Sequence, residues 1–184
     1  VDAGRAPRKE SLWAPHLVGQ MAEIGVASVP IALFVALFTG VVLALQAAYT
    51  FTGAVPQYFV GTLVGKTMLL ELGPVLTGLA LSGRVGAAIA AEIGTMRVTE
   101  QIDALEIMGV NSAGYLIMPK ILAAIFIFPF LVVLSMGLAI LGGWLVGLSA
   151  GVITTSDFVY GLQYDFKPFN IVYALIKTVF FAFI

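Results

Sequence analysis

Two long runs of this sequence contain no charged residue. The first covers the 42 residues 24–65 and the second covers the 36 residues 121–156. A helix rises about 1.5 Å per residue and the hydrocarbon core of a bilayer is about 30 Å thick, so about 20 residues complete one crossing. Each run is longer than that. The pattern therefore predicts helices whose surroundings are lipid.

The composition excludes a soluble globular domain. Hydrophobic residues make up 60% of the chain, charged residues 10%, and the mean hydropathy is +1.05. Soluble domains contain about 45–50% apolar and about 25% charged residues. We therefore predict an all-α membrane protein, folded as a polytopic helical bundle. Nine Lys/Arg and ten Asp/Glu give a net charge of −1, so no nucleic-acid partner is expected.

Polar breaks divide the chain into segments of one transmembrane domain, residues 1–184. We predict an interfacial helix, four spans and one amphipathic helix between the second and third spans. In chain order, these are residues 11–28 (interfacial), 30–51, 68–94, 96–109 (amphipathic), 118–150 and 170–184. The last segment is short and ends on apolar residues, so we expect a truncated chain that lacks the remainder of the fourth span.

The basic residues near the first span set the expected orientation. Arg5, Arg8 and Lys9 precede it, and basic residues favour the cytoplasmic side of bacterial membranes. We therefore expect a cytoplasmic N-terminus. The amphipathic segment 96–109 is then cytoplasmic as well, and the loop before the fourth span is external.

The amphipathic segment has apolar residues at helical spacing on one face and polar residues on the other. The apolar positions are Val98, Ile102, Leu105 and Met108. Such a helix either rests on the membrane or docks to a soluble partner. Its acidic residues Glu100, Asp103 and Glu106 argue mildly against a resting place on anionic lipid.

Small residues recur every four positions in two spans. Because such rows let helix backbones approach closely, they predict tight helix packing. The candidate packing residues are Gly78, Ser82 and Gly86 in the second span and Gly143 and Gly147 in the third.

Three of the charges within the predicted spans lie away from the cytoplasmic ends of those spans. They are Glu71 and Arg84 in or beside the second span and Lys177 in the fourth. A charge at bilayer depth costs about 2.5–3.5 kcal/mol on insertion scales. Such a residue can have a structural role, in which it pairs with another group or extends to the membrane interface. Alternatively, it can line a polar path for a substrate. The sequence leaves these two alternatives open.

The sequence shows no evident constellation of catalytic or metal-ligating residues. These 184 residues contain no cysteine and a single histidine, so we expect no metal site and no catalytic residues. Residues 61–67 imitate part of a phosphate-binding loop but lack its first glycine and its strand–loop–helix context. We therefore expect that this chain binds no ATP itself and is not an enzyme.

The central segment resembles the MlaE/YrbE permease family. The motifs are ELGPV at 71–75, SGRVGAA at 82–88 and AEIGTMRVTEQIDAL at 91–105. Members of this family are membrane subunits of ABC-type lipid transporters associated with MCE-domain proteins. The similarity extends over the whole chain, and family members continue beyond residue 184 with the rest of the fourth helix and a fifth.

This resemblance implies the function and the partners. We expect a homodimer in the bacterial inner membrane that binds two cytoplasmic ATPase subunits and periplasmic MCE-domain subunits. ATP and magnesium would be bound by the ATPase, with no cofactor in this chain. Phospholipid would move between the inner membrane and the periplasm or outer envelope. Two other classes stay open: an ion-coupled secondary transporter and an intramembrane lipid-modifying enzyme.

The resemblance also implies roles for particular residues. Segment 96–109 matches the family's coupling helix, which docks to the ATPase. Its residues are Arg97, Glu100, Gln101, Asp103, Leu105 and Glu106. Glu71 and Lys177 match polar positions near the lipid-binding cavity, and Leu70 stands where several relatives have an arginine.

Overall fold

A computed structural model describes residues 10–51, 55–109 and 112–183 of the chain. Within these ranges all regular structure is helical. The elements are α1 (Glu10–Thr50), α2 (Tyr58–Thr67), a π segment (Met68–Leu72), α3 (Gly73–Val98), α4 (Gln101–Ile107), α5 (Ser112–Ser149), α6 (Thr155–Tyr164) and α7 (Phe169–Phe183). The predicted all-α class is confirmed. The N-terminal basic cluster and residue 184 lie outside the described residues.

Three helical stretches are long and apolar enough to cross a membrane: Leu17–Thr50, Tyr58–Val98 and Gly114–Ser149. A fourth crossing arises if α6 and α7, bent by 77° relative to each other, together count as one. The chain therefore has the helices of a multi-pass membrane protein.

The first helix differs from the sequence expectation. We predicted an interfacial helix over 11–28 and a separate span over 30–51, whereas α1 is continuous across Pro30. Proline lacks one backbone N–H, but its fixed φ is compatible with a helix, and membrane helices tolerate it. At about 1.5 Å per residue α1 is roughly 60 Å long, about twice the hydrocarbon thickness.

The second helix is longer than the predicted span over 68–94. Residues from Tyr58 to Val98 follow one another without a break in helical structure. The predicted amphipathic helix over 96–109 is consequently divided, with its first residues at the end of α3 and seven residues in α4. Glu100 causes this division, because its left-handed backbone (φ 58°) interrupts the helix.

The third long helix, α5, begins six residues before the predicted 118–150 span and includes Pro119 and Pro129. The loop expected to follow it contains a further helix, α6, which the sequence analysis missed. Thr154 caps this helix by accepting a hydrogen bond from the Asp157 backbone N–H at 3.2 Å. An acid three residues after a threonine is a helix-start pattern.

Small residues bring α1 and α5 into backbone contact. A Cβ atom added to Gly40 would lie 1.9 Å from the Ala139 carbonyl oxygen, and one on Gly143 would lie 3.0 Å from the Gly40 carbonyl oxygen. Gly161 brings α6 onto α2, since its Cβ would be 2.0 Å from the Tyr58 carbonyl oxygen. The hydrophobic core around these contacts includes Ala36, Ala44, Val60, Val64, Met68 and Phe158.

The small-residue row of α3 faces several directions. Gly78 packs against Phe181 of α7, whereas a Cβ on Gly86 would meet nothing within 4 Å. Residues four apart differ by about 40° around a helix of 3.6 residues per turn, so the row winds away from α7. Ser82 donates a hydrogen bond to its own helix at Leu79. In α5, a Cβ on Gly147 would make ordinary contact with Ile153 at 3.8 Å.

Because α1 and α5 are in backbone contact at Gly40, one added methyl group there should strongly lower the stability of the fold. Gly40→Ala should lower stability by about 1–3 kcal/mol, because the added carbon would overlap backbone that no side-chain rotation can move. Gly19→Ala in the same helix is the control; its Cβ meets nothing within 4 Å, and alanine should stabilise by about 0.5–1 kcal/mol. Thermal unfolding of the purified full-length protein in detergent measures both. Equal melting temperatures for the two variants would refute this packing.

Candidate functional site

The π segment before α3 contains an unusual backbone hydrogen-bond pattern. In an α-helix the N–H of residue 74 would bond to the carbonyl of residue 70, but Pro74 has no N–H. The Gly73 N–H bonds instead to the Met68 carbonyl, five residues back. The Leu70 carbonyl is therefore available to another donor.

Lys177 of α7 is that donor. Its Nζ donates to the Leu70 carbonyl oxygen at 2.9 Å and to Glu71 Oε2 at 3.0 Å, and it lies 4.5 Å from the centre of the Tyr173 ring. The Lys177 side chain is 23% exposed and that of Glu71 is 61% exposed. We call Glu71, Lys177, Tyr173 and the Leu70 carbonyl the ion-pair site.

The structure thus brings together the three residues that the sequence analysis assigned to a lipid cavity. Leu70 takes part through its carbonyl rather than its side chain. Tyr173 was missed, although its position four residues before Lys177 places both on one face of a helix. Pro74 was the available signal for the free carbonyl.

The ion-pair site can bind a charged group. Charges within membrane spans usually face a cavity or a partner. Here the lysine is partly buried behind the more exposed carboxylate, so an anion that approaches the site can compete with Glu71 for the Lys177 ammonium. π segments occur frequently at functional sites.

The predicted ATPase-coupling residues lie on and beside α4. Arg97 ends α3 and donates to Asp103 Oδ1 at 2.7 Å. Glu100 forms the left-handed link, and Glu106 accepts a hydrogen bond from Ser112 at 3.2 Å. The others, Gln101 and Leu105, are exposed and half-buried, respectively.

Apolar side chains at this end of the bundle are exposed. Ile102 is buried, but Val98, Ile107 and Met108 are 84%, 87% and 68% exposed. We call these three residues, with Glu100 and Gln101, the loop surface. An amphipathic face that its own chain leaves uncovered is suited to contact a membrane surface or a partner protein.

Two further ion pairs join separate elements of the bundle. Lys66 of α2 pairs with Asp165 in the link between α6 and α7, and Lys120 of α5 pairs with Glu92 of α3. The hydrogen bond and positive charge of Lys66 lower the pKa of the Asp165 carboxyl. Among the described residues, no three acidic or histidine side chains converge where a metal could bind.

These features define a polytopic α-helical membrane protein with an ion pair between two of its apolar helical segments. The model of the family described as permease MlaE matches residues 17–184. The chain belongs to the MlaE permease family, which confirms the resemblance seen in its motifs. It is a transporter subunit rather than an enzyme.

Curated relatives agree with this membership. A probable ABC transporter permease protein of Rickettsia bellii is 40% identical over 173 residues, which cover 94% of this chain and 67% of the relative. The intermembrane phospholipid transport system permease protein MlaE of Haemophilus influenzae is 38% identical over 169 residues, 91% of this chain and 65% of the relative. The chloroplast protein TRIGALACTOSYLDIACYLGLYCEROL 1 of Arabidopsis thaliana is 31% identical over 168 residues, 86% of this chain and 45% of the relative.

Proposed function

We propose that this chain is the membrane-spanning subunit of an ABC-type phospholipid transporter of the bacterial inner membrane. A separate cytoplasmic ATPase hydrolyses ATP, and lipid is transferred between the inner membrane and the periplasm or outer envelope. The observation that carries this proposal is the ion-pair site, a charged group at membrane depth in a chain whose relatives include a phospholipid transport permease.

The ion-pair site supplies the contact with the lipid headgroup. Every phospholipid has a phosphate group that carries negative charge, and an ammonium group shielded from water binds such an anion strongly. Lys177 is held by the Leu70 carbonyl and Tyr173 when Glu71 moves away. The phosphate can therefore replace the Glu71 carboxylate without leaving the lysine unpaired.

The loop surface supplies the contact with the ATPase. Val98, Ile107 and Met108 are exposed apolar side chains at this end of the bundle, and acidic residues beside them give a charge pattern suited to a specific partner. α4 connects to α3 through the left-handed Glu100. Motion of a docked ATPase would turn α4 about this link and shift α3, which begins at the ion-pair site.

A second copy of the chain would cover the outward-facing small residues of α3. Gly86, Ala87, Ala90 and Gly94 are exposed, and rows of this kind allow close helix contact in membranes. We propose a homodimer through this face. Periplasmic MCE-domain subunits would bind at the opposite end from α4, and the N-terminus would be cytoplasmic.

Removal of the Lys177 charge tests the lipid function. In proteoliposomes that contain the full-length protein and its ATPase, Lys177→Met should lower ATP-dependent transfer of a fluorescent phospholipid about tenfold, the equivalent of about 1.4 kcal/mol. Lys177→Arg should retain most of the transfer because it keeps the charge and the donors.

The control for this experiment is Lys66→Met, which removes a lysine that is also paired with an acid but lies outside the ion-pair site. Its transfer rate should equal that of the wild type. Full transfer by Lys177→Met, in protein with an unchanged melting temperature, would overturn the proposed role. Transfer that needs an ion gradient and no ATPase would identify a secondary transporter instead.

Charge reversal at Glu100 of the loop surface and at the nearby Asp103 tests the ATPase contact. Glu100→Lys combined with Asp103→Lys should reduce the ATPase that co-purifies with the permease about tenfold. Stability should change little, because the Arg97–Asp103 pair is exposed. Lys167→Glu, an exposed charge reversal beside α7, is the control. Undiminished co-purification of the ATPase with the double variant would contradict the assignment.

A further inference from the structure

Apart from the ion-pair site, a cavity with charged walls lies between α1, α3 and α5. Its volume is about 240 Å³, and charged side chains from all three helices line it. They are Glu23 of α1, Arg84 and Glu92 of α3, and Lys120 of α5. The cavity has room for several water molecules or a small polar group.

Only half of these charges are satisfied within the described part of the chain. Glu92 and Lys120 form an ion pair, and the Lys120 side chain is only 5% exposed. Glu23 and Arg84 are exposed and make no ion pair or hydrogen bond with the described residues. Ser28, 1% exposed, also lines the cavity. The cavity thus presents an anion, a cation and a hydroxyl.

This cavity is separate from the ion-pair site. Arg84 follows Glu71 by thirteen residues on a continuous helical stretch, which corresponds to about 20 Å along the axis. Glu92 is closer still to the end of α3, where α4 begins. The cavity therefore belongs to the half of the bundle next to α4, and the ion-pair site belongs to the other half.

We propose that this cavity binds the zwitterionic headgroup of a phospholipid from the leaflet on the α4 side. Arg84 contacts the phosphate and Glu23 contacts the ammonium group. This inference rests on the proposed lipid transport. It adds a second lipid-binding site and names the class of lipid that this site selects.

Charge complementarity favours a zwitterion. The four side chains sum to zero, and their unpaired members have opposite signs. A zwitterionic headgroup can pair its ammonium group with Glu23 and its phosphate with Arg84. An anionic headgroup can pair with Arg84 but leaves the Glu23 carboxylate without a partner. Unpaired charges at membrane depth mark a cavity or a partner.

The edges of the cavity leave room for acyl chains. Ala27 of α1 and Ala88 of α3 line it and are both exposed. Because their side chains are single methyl groups, the opening between the helices is not covered by large side chains. A lipid can keep its tails in the bilayer while its headgroup occupies the cavity.

Site-specific photo-crosslinking tests the proposal. A single introduced cysteine can be labelled selectively, because these 184 residues contain no cysteine. Ala88→Cys is labelled with a benzophenone in the full-length transporter, with any cysteine outside these residues replaced. The protein is placed in nanodiscs of equal parts phosphatidylethanolamine and phosphatidylglycerol. Mass spectrometry of the crosslinked peptide identifies the lipid. Gly83→Cys, exposed on α3 but outside the cavity, is the control position.

We expect crosslinks at position 88 to be enriched several-fold in phosphatidylethanolamine over the control position. Arg84→Gln and Glu23→Gln should each remove this enrichment. Equal lipid ratios at both positions, enrichment in phosphatidylglycerol, or enrichment that survives both substitutions would overturn the proposal. Loss of the crosslink when inorganic phosphate is added would identify a phosphate site instead, and would also overturn it.

A parallel assay of ATP-dependent lipid transfer separates the two proposals. Normal transfer without enrichment at position 88 would reject the second lipid site and leave the proposed function intact. Enrichment without transfer in any condition would reject the proposed transport and leave the binding site.

Discussion

The lipid core of a bilayer offers no hydrogen bonds, so each polar group inside it needs a partner from the protein. Pro74 creates such a need in the middle of the chain, since its missing N–H leaves the Leu70 carbonyl free. Lys177 satisfies that carbonyl and brings its own charge, which in turn needs Glu71. The missing donor of Pro74, the π segment and the Lys177–Glu71 pair thus meet at one place in the fold.

The need of each polar group in the lipid core for a partner also divides four other charged residues into two kinds. Lys66 pairs with an acid in the α6–α7 link and Lys120 pairs with an acid of α3, so the two pairs hold α2 to that link and α5 to α3. Glu23 and Arg84 have no such partner among the described residues and lie on a cavity instead. The Lys66 and Lys120 pairs join elements of the bundle, whereas Glu23 and Arg84, which have no partner among the described residues, line the cavity proposed to take a second lipid headgroup.

The sequence was sufficient for the membrane class, because the charge-free runs depend only on composition and length. Local backbone effects were harder to predict. The helix break at Glu100 depends on a left-handed conformation that glutamate seldom adopts, and the continuity of α1 depends on how a membrane helix accommodates Pro30. The cap at Thr154 was visible in the sequence and was overlooked.

The ion-pair site was predicted only in part, for a different reason. Glu71 and Lys177 were assigned from a family resemblance, and nothing local to either residue shows that they meet. Their contact joins positions 106 residues apart, so it depends on how α7 packs on the π segment. Tyr173 and the Leu70 carbonyl enter the site through that same packing.

The central claim is that α5 crosses the bilayer, so that α4 and α6 lie on opposite sides with the ion-pair site between them. Single cysteines at Glu106 and Ser156, both exposed, test it with a membrane-impermeant maleimide on spheroplasts, which expose the outer face of the inner membrane. The account predicts that position 156 reacts from outside and that position 106 reacts only after permeabilisation. Reaction of both positions from the same side would contradict it.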